Sequence, residues 1–191
     1  VATTFSFTAT ITDSGKRVRA VFTNSPGSAT TNAAALTVIN NPAVACGQII
    51  TADTTFNSDV FCPPDTERAL TIGASNIKLD LGGYVLSGYA PIGFVSQGIV
   101  AVNMSNITIM NGTVEEFTVG VGISDSRRLT LENLLVRNLR ITDPNHFVAG
   151  FGIAWCSDVL VKDSRFEFTP VVFHKEAIDV YGSDIFISNI E

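Results

Sequence analysis

A chain of 191 residues is long enough for one or two domains. With 46% apolar and 16% charged residues and a mean hydropathy of +0.31, it is poor in charge (about 25% is usual) and can bury a large core. A net charge of −6 disfavours nucleic acid, whose binding needs basic stripes, and the apolar runs are far shorter than the ~18 residues of a membrane span, so no membrane insertion is expected. Val1 opens no charged-then-apolar leader pattern, and the chain reads as a mature chain or an excised piece.

From the N-terminus, Phe5, Phe7, Ala9 and Ile11 alternate with Ser6, Thr8 and Thr10, the period of two of a half-buried strand. Asp13-Ser-Gly15 predicts a turn, Val18, Ala20 and Phe22 a second strand, Asn24-Ser-Pro-Gly27 a second turn, and Ala33 to Ile39 a third strand. The run Asp13-x-Gly15, Val18-x-Ala20-x-Phe22-x-Asn24-x-x-Gly27, followed by a strand rich in Ser, Thr and Ala, resembles the last three strands of an immunoglobulin-like domain. The likeness is to the cysteine-free type repeated in tandem on bacterial and archaeal surface proteins. The sequence departs from it where Val18 replaces the usual corner tyrosine and where the first half of the domain is absent. A sandwich needs about seven strands in two sheets. Residues 1–41 are therefore expected to be a partial domain, its sandwich completed by the remainder of a longer chain or by neighbouring copies.

Asn40-Asn41-Pro42 breaks the strand pattern and begins a linker and entrance cap over residues 42–71. This segment predicts short strands at Gln48–Thr51 and Asp59–Phe61 and a turn at Cys62-Pro-Pro-Asp65. None of the three cysteines has metal-ligand spacing, and no metal site is expected. Two readings stand: three reduced buried thiols, or a Cys46–Cys62 disulfide closing a loop of about 15 residues, worth roughly 3 kcal/mol. The disulfide is preferred because the rest of the chain looks extracellular.

Beyond residue 71 one phrase repeats: Asn76-Ile-Lys-Leu79, Asn106-Ile-Thr-Ile109, Arg128-Leu-Thr-Leu131, Asp158-Val-Leu-Val161 and Asp184-Ile-Phe-Ile187. Its first apolar residues lie at 77, 107, 129, 159 and 185, steps of 30, 22, 30 and 26 residues. Periods of this size mark a solenoid. An apolar strand, often led by Gly, precedes each of the last four phrases by 8, 8, 8 and 7 residues, starting at Ile99, Val121, Phe151 and Ile178. A polar turn and a further strand follow, as in Asn111-Gly-Thr-Val114 and Asn133-Leu-Leu-Val136. Three short strands, two tight corners and one variable loop per repeat describe a right-handed parallel β-helix over residues 72–191, with about five coils stacked at ~4.8 Å. The chain is expected to continue beyond both ends: it opens midway through an immunoglobulin-like domain and stops within a coil.

The phrase Asn-Ile-Thr-Ile-x-Asn-Gly-Thr-Val, preceded by Gly-Ile, resembles the pectate-lyase-like β-helix repeat. The opening Cys46-Gly-x-Ile-Ile-Thr, through Leu70-Thr-Ile-Gly-Ala-Ser-Asn-Ile-Lys-Leu-Asp-Leu-Gly-Gly-Tyr-Val-Leu-Ser-Gly88, is similar to the entrance segment of secreted and periplasmic β-helix proteins of the carbohydrate-binding and sugar-hydrolase group. That resemblance covers residues 46–191. It implies a fold shared by lyases, hydrolases, phage spikes, adhesins and inert stalks, and so no single activity.

Several residues are candidates for chemistry. His174-Lys-Glu176-Ala-Ile-Asp179 loosely resembles the acidic strand of pectin hydrolases, which makes Asp179 and Glu176 the candidate catalytic carboxylates. Asp125, Asp143, Asp158 and Glu167 would lie on neighbouring coils, and the second acidic strand of such hydrolases is missing. The competing reading makes Asp179 an ordinary outward strand residue and Glu176 a loop cap. A lyase needs a base beside Ca²⁺, so a Ca²⁺ cofactor is expected only under that reading, with Arg127 and Arg128 candidates by type alone. His146 has no partners for a metal in sequence. Trp155 and Tyr181 are candidates for an exposed aromatic platform that binds a sugar ring, against simple packing at a corner. Asn103, Asn106 and Asn111 each begin an Asn-x-Ser/Thr acceptor for N-glycosylation. The favoured explanation is structural, because Asn tolerates left-handed corners and stacks in ladders.

The reading of the whole is an extracellular or cell-surface structural or adhesive segment, with the periplasm as the other compartment. The alternatives are a fragment of a secreted polysaccharide lyase or glycoside hydrolase, and a non-catalytic carbohydrate-binding module with polysaccharide as partner.

Overall fold

The computed structural model describes residues 6–38, 43–89, 95–139, 148–168 and 175–191. The chain divides into two compact units, Val1–Pro42 and Ala43–Glu191. The described residues are all-β apart from a short 3-10 turn at Ile11–Asp13. None of their helices is long and apolar enough to cross a membrane.

The first unit holds β1 (Arg17–Val18), β2 (Val21–Asn24), β3 (Gly27–Thr30) and β4 (Ala34–Ala35). β2 and β3 form a hairpin closed at Asn24 and Gly27, and β1 pairs antiparallel with β4. Between the Val18–Ala34 and Val21–Thr30 pairs, Arg19 and Ala20 face Thr31, Asn32 and Ala33, so one strand carries an extra residue, the mark of a bulge. Thr31 spans the break, its backbone N–H donating to the Ala20 carbonyl (3.0 Å) and its hydroxyl accepting from the Ala20 N–H (3.0 Å).

Two strand expectations fail here. Ser6 to Thr10 form no strand, and Phe5 lies outside the described residues. The Asp13 carboxylate instead takes the Thr10 N–H (2.8 Å), the Thr10 hydroxyl (2.9 Å) and the Lys16 ammonium (2.6 Å), so side chain replaces ladder as the local partner. The third predicted strand pairs only at Ala34 and Ala35. Val21 and Phe22, which point to opposite faces, are 56% and 65% exposed. With neither face covered among the described residues, nothing in this unit selects an inside.

The second unit contains β5 (Gln48–Ile50), β6 (Thr54–Thr55), β7 (Val60–Phe61), β8 (Arg68–Ile72), β9 (Ile77–Asp80), β10 (Val85–Ser87) and β11 (Gln97–Val102). It continues with β12 (Ser105–Glu115), β13 (Val119–Ser124), β14 (Arg127–Arg137), β15 (Val148–Ala154), β16 (Ser157–Glu167), β17 (Lys175–Tyr181) and β18 (Ile185–Ile190). Every pairing among the described residues of this unit is parallel. One sheet runs β5-β8-β11-β13-β15-β17; the other runs β7-β10-β12-β14-β16-β18, with β9 also pairing β12 and β6 pairing β9, and neither sheet closes among the described residues.

The repeated phrase lies in a single register. Ile77, Ile107, Leu129, Val159 and Ile185 are successive partners along one sheet. Ile99, Val121, Phe151 and Ile178 are successive partners along the other. Val60, Leu86, Val114, Val136 and Phe166 form a third column. From Ile77 to Val159 and from Ile99 to Phe151 these side chains are buried, as are Val114 and Val136, and stacking like on like removes each apolar group from water. Full burial of such a side chain contributes roughly 1.5–3 kcal/mol.

The second and third predicted strands of each repeat fuse. β12, β14 and β16 are eleven residues long and bend at Asn111, Asn133 and Asp163, whose φ values are 58°, 50° and 50°. β9 and β10 stay separate, with Gly82-Gly83 between them. A second need for glycine is steric. A Cβ on Gly120 would stand 2.7 Å from the Gly150 carbonyl oxygen and 2.8 Å from Val136 Cγ1. The glycine that leads the repeated strand therefore exists because backbone and interior meet there.

At the entrance, Cys46 and Cys62 form a disulfide, their Cα atoms 5.3 Å apart. The Cys62 N–H donates to the Ser87 carbonyl (2.8 Å) and the Gly47 N–H to the Ala69 carbonyl (2.7 Å), tying the bridge to both sheets. Val44 and Phe56 are buried in the core of this unit.

Candidate functional site

Each strand of the β11-β13-β15-β17 sheet ends in a sharp corner built the same way. Asn103, Asp125, Trp155 and Gly182 follow the four strands with φ of 57°, 51°, 52° and 58°. The backbone N–H of Asn103 donates to Ser124 O (3.1 Å), that of Asp125 to Ala154 O (3.0 Å) and that of Trp155 to Tyr181 O (2.8 Å), stacking the corners in register. At two of the four corners the next position carries a serine that locks the turn. Ser126 Oγ donates to Ser124 O (2.7 Å) and accepts from the Met104 N–H (2.9 Å); Ser183 Oγ donates to Tyr181 O (3.1 Å) and accepts from the Cys156 N–H (2.8 Å).

Cys156, distant from the other cysteines in sequence, takes the serine's place in this column. It is a buried free thiol with Sγ 3.3 Å from Ala154 O. Burial pushes the thiol's pKa up, aided by the charge of Asp125 and opposed by its backbone hydrogen bonds.

Trp155 is the anomaly of the column. A left-handed backbone is uncommon for any residue but glycine and is a real outlier for a bulky one. Such outliers persist where the surroundings over-determine them and gather at functional sites. The neighbouring coil accommodates the ring: a Cβ on Gly182 would stand 3.0 Å from the indole Cδ1. Tyr181 packs edge-to-face against the indole, ring centroids 5.3 Å apart and planes at 86°. Trp155 and Tyr181 are 60% and 63% exposed. The two rings therefore meet edge to face at the corner rather than as one flat surface, one register step apart, since Tyr181 stands opposite Ala154.

Trp155 forms one wall of a cleft of about 420 Å³ with Asn103, Ser105, Asp125, Arg127 and Ser157. Arg127 sits between Ser105 and Ser157 in the strand register, so no acidic residue occupies its row. Asp125 and Arg127 are both exposed, flank the buried Ser126 and form no ion pair with each other. The role of Asp125 and Arg127 as neighbours of the indole was not visible by residue type. The signal was positional: the residue four before the first apolar position of the phrase is Asn103, Asp125 and Trp155 in turn.

The proposed carboxylates lie elsewhere. Asp179 lines a shallow cleft of about 350 Å³ on the outer face of the β11-β13-β15-β17 sheet, floored by Gly122 and Gly152 and reaching Gln97 and Arg68. Glu176 is exposed on the same strand, β17. Asp125 is in the Trp155 cleft, Asp158 follows the corner at Ser157, and Glu167 bonds Arg165 (3.0 Å), so these acids are not gathered around Asp179. Asp143, His146 and His174 lie outside the described residues. Among the described residues no three His, Cys, Asp or Glu side chains converge as metal ligands, so no residue set can be named for Ca²⁺. Arg128 is exposed at φ 54°.

Two of the three sequon asparagines are engaged in stacks. Asn106 Nδ2 donates to Asn76 Oδ1 (3.1 Å). Asn111 Nδ2 donates to Asp80 Oδ1 (3.1 Å), and Asn133 Nδ2 to Asn111 Oδ1 (2.9 Å). Asn189 and Asp163 continue the motif at 2.7 Å. Asn103 is exposed in the corner column with Asp125 and Trp155.

No family model matches the chain, and no curated protein matches it. Among solved structures, it is similar to one described as a "putative glycosyl hydrolase from Parabacteroides merdae", at 11% identity and a TM-score of 0.35, over 72% of this chain and 79% of that one. A likeness this slight supports no argument about fold or function.

Proposed function

We propose that this chain is an extracytoplasmic adhesive segment, a right-handed parallel β-helix rod that contacts carbohydrate at the Trp155–Tyr181 corner. The observation that carries the reading is the pair itself: two large aromatic side chains, each about 60% exposed, one held in a left-handed backbone. Exposed aromatic groups with a polar edge suit a ligand that offers both an apolar ring face and hydroxyls. The parallel register of like residues supports a helical coil, and crossovers between parallel strands of one sheet are right-handed in nearly all proteins. The Cys46–Cys62 bridge supports an oxidising compartment. The exposed Val18, Val21 and Phe22 support cover of the first unit by other strands, from elsewhere in a longer chain or from a neighbouring copy. A mass measurement in solution separates these two sources.

The test is retention on immobilised glycans by affinity electrophoresis. Trp155→Ala is expected to weaken retention about tenfold or more, the cost of losing an aromatic anchor. A wild-type chain retained by no glycan, or a variant retained equally, removes the reading. A second reading, a fragment of a polysaccharide lyase or glycoside hydrolase, is favoured by the position of Asp179 in a cleft on the sheet face, with Glu176 on the same strand. New reducing ends or unsaturated products from uronic-acid polysaccharides, with or without Ca²⁺, and lost in Asp179→Asn, would establish it.

A further inference from the structure

We infer that the Trp155 corner selects saccharides bearing an anionic group, and that Arg127 is the residue that recognises the anion; this rests on the carbohydrate reading above. The argument begins with charge. On the β7-β10-β12-β14-β16-β18 sheet three outward cations are neutralised by outward acids: Arg137 by Glu115 (2.7 Å), Lys162 by Glu132 (2.9 Å) and Arg165 by Glu167 (3.0 Å). Arg127, Arg128 and Lys78, in the same sheet, have no ion pair among the described residues, and of these three only Arg127 lines the Trp155 cleft. Its row offers only Ser105 and Ser157. The acid closest to Arg127 in sequence, Asp125, shares its cleft but is separated from it by the buried Ser126 and forms no ion pair with it.

The cleft therefore presents three separate chemistries within one concavity. The indole of Trp155 gives a flat apolar wall. Asp125 accepts hydroxyl donors and Asn103 both donates and accepts. Arg127 offers a planar fork of N–H donors that matches a carboxylate or sulfate with paired hydrogen bonds. A ring stacked on the indole, with its hydroxyls on Asp125 and its anionic substituent on Arg127, uses all three. A neutral sugar leaves the guanidinium unused. The chain as a whole carries −6, so its general field repels such ligands and the attraction must come from local cations such as Arg127.

The chain contains a single tryptophan, so its fluorescence reports the corner directly. Three tetrasaccharides built on galactose-type rings serve as probes in titrations of the full chain: tetragalacturonate for the carboxylate, a carrageenan tetrasaccharide for the sulfate, and neutral galactotetraose. At least one anionic probe is expected to perturb the fluorescence and to bind about tenfold more tightly than galactotetraose, with affinity falling as salt rises. The anionic probe that binds identifies the group. Arg127→Gln is expected to bring that affinity down to the neutral level, and Arg127→Lys to recover part of it, both with unchanged circular dichroism because the side chain is exposed. Equal binding of neutral and anionic probes, or an unchanged affinity in Arg127→Gln, overturns the inference and leaves the carbohydrate reading standing. No response to any of the three overturns both.

Discussion

Residues 15–36 and residues 43–191 are built from the same kinds of residue, alternating apolar and polar side chains broken by Gly, Asn and Pro. In the first stretch that pattern yields an antiparallel hairpin whose strands are exposed along their whole length. In the second it yields columns in which Leu79, Ile109 and Val161 are wholly buried. Alternation only says that a strand has two different faces. Burial requires a second layer, and the repeat supplies one because successive repeats deliver strands to both sheets, while the hairpin has no covering layer among the described residues.

The sharpest way to break this contrast is to truncate one residue in each region. Leu131→Ala, at the middle of the buried column, is expected to cost about 3 kcal/mol and to lower the melting temperature by roughly 6–12 °C. Phe22→Ala, in the exposed hairpin, is expected to stay within about 0.5 kcal/mol in the same melts. Equal losses would mean that the hairpin is covered in solution.

Opening the Cys46–Cys62 bridge, by Cys62→Ser or by reduction, is expected to cost about 3 kcal/mol at most, since engineered loops of this size often deliver less. Denaturant melts with and without reductant measure it, and protection of the hairpin amides is expected not to change. Gly120→Ala comes next. The added methyl meets the Gly150 carbonyl and Val136, and about 1–3 kcal/mol is expected from overpacking. Gly15→Ala has open space around it, but its φ of 84° strains the turn instead, so the two glycines fail for different reasons.

The smallest effect concerns pH. The Lys16 ammonium, with the Thr10 N–H and hydroxyl, holds the Asp13 carboxyl at about 2, below the ordinary 3.8. A lowered carboxyl pKa adds stability above the unfolded value, and that contribution is lost as pH falls from about 4 through about 2. The expected sign is therefore a turn that loosens in acid, followed by the carbon shift of the Asp13 carboxyl. Because this group belongs to the first unit, the global melt of the second unit is expected not to follow it.

Much of the second unit was legible in the sequence. The five phrases at Ile77, Ile107, Leu129, Val159 and Ile185 fall into one register because identical local geometry repeats at the same point of each coil. The asparagines at the bends were legible for the same reason, since only a few residue types tolerate a left-handed corner. The hairpin was less legible. Asp13 draws its neighbours into a turn through its side chain, an outcome that alternation of Phe5 to Ile11 does not reveal. The fusion of two predicted strands into β12, β14 and β16 was also hidden, because hydrogen bonding continues through a single left-handed residue and a turn signal in sequence looks the same as a bend.

Sequence alone determined which residues face inward, where the coils repeat, and that Trp155 and Tyr181 fall near each other on successive coils. These follow from local sterics and from the cost of leaving apolar side chains in water, both of which act at short range along the chain. Only the tertiary structure decided that Trp155 takes the left-handed place of an Asn or Gly, that Gly182 clears room for its ring, and that Arg127 shares its cleft without an acidic partner. Those outcomes depend on which residues of different repeats come level in the sheets, which no single repeat reveals.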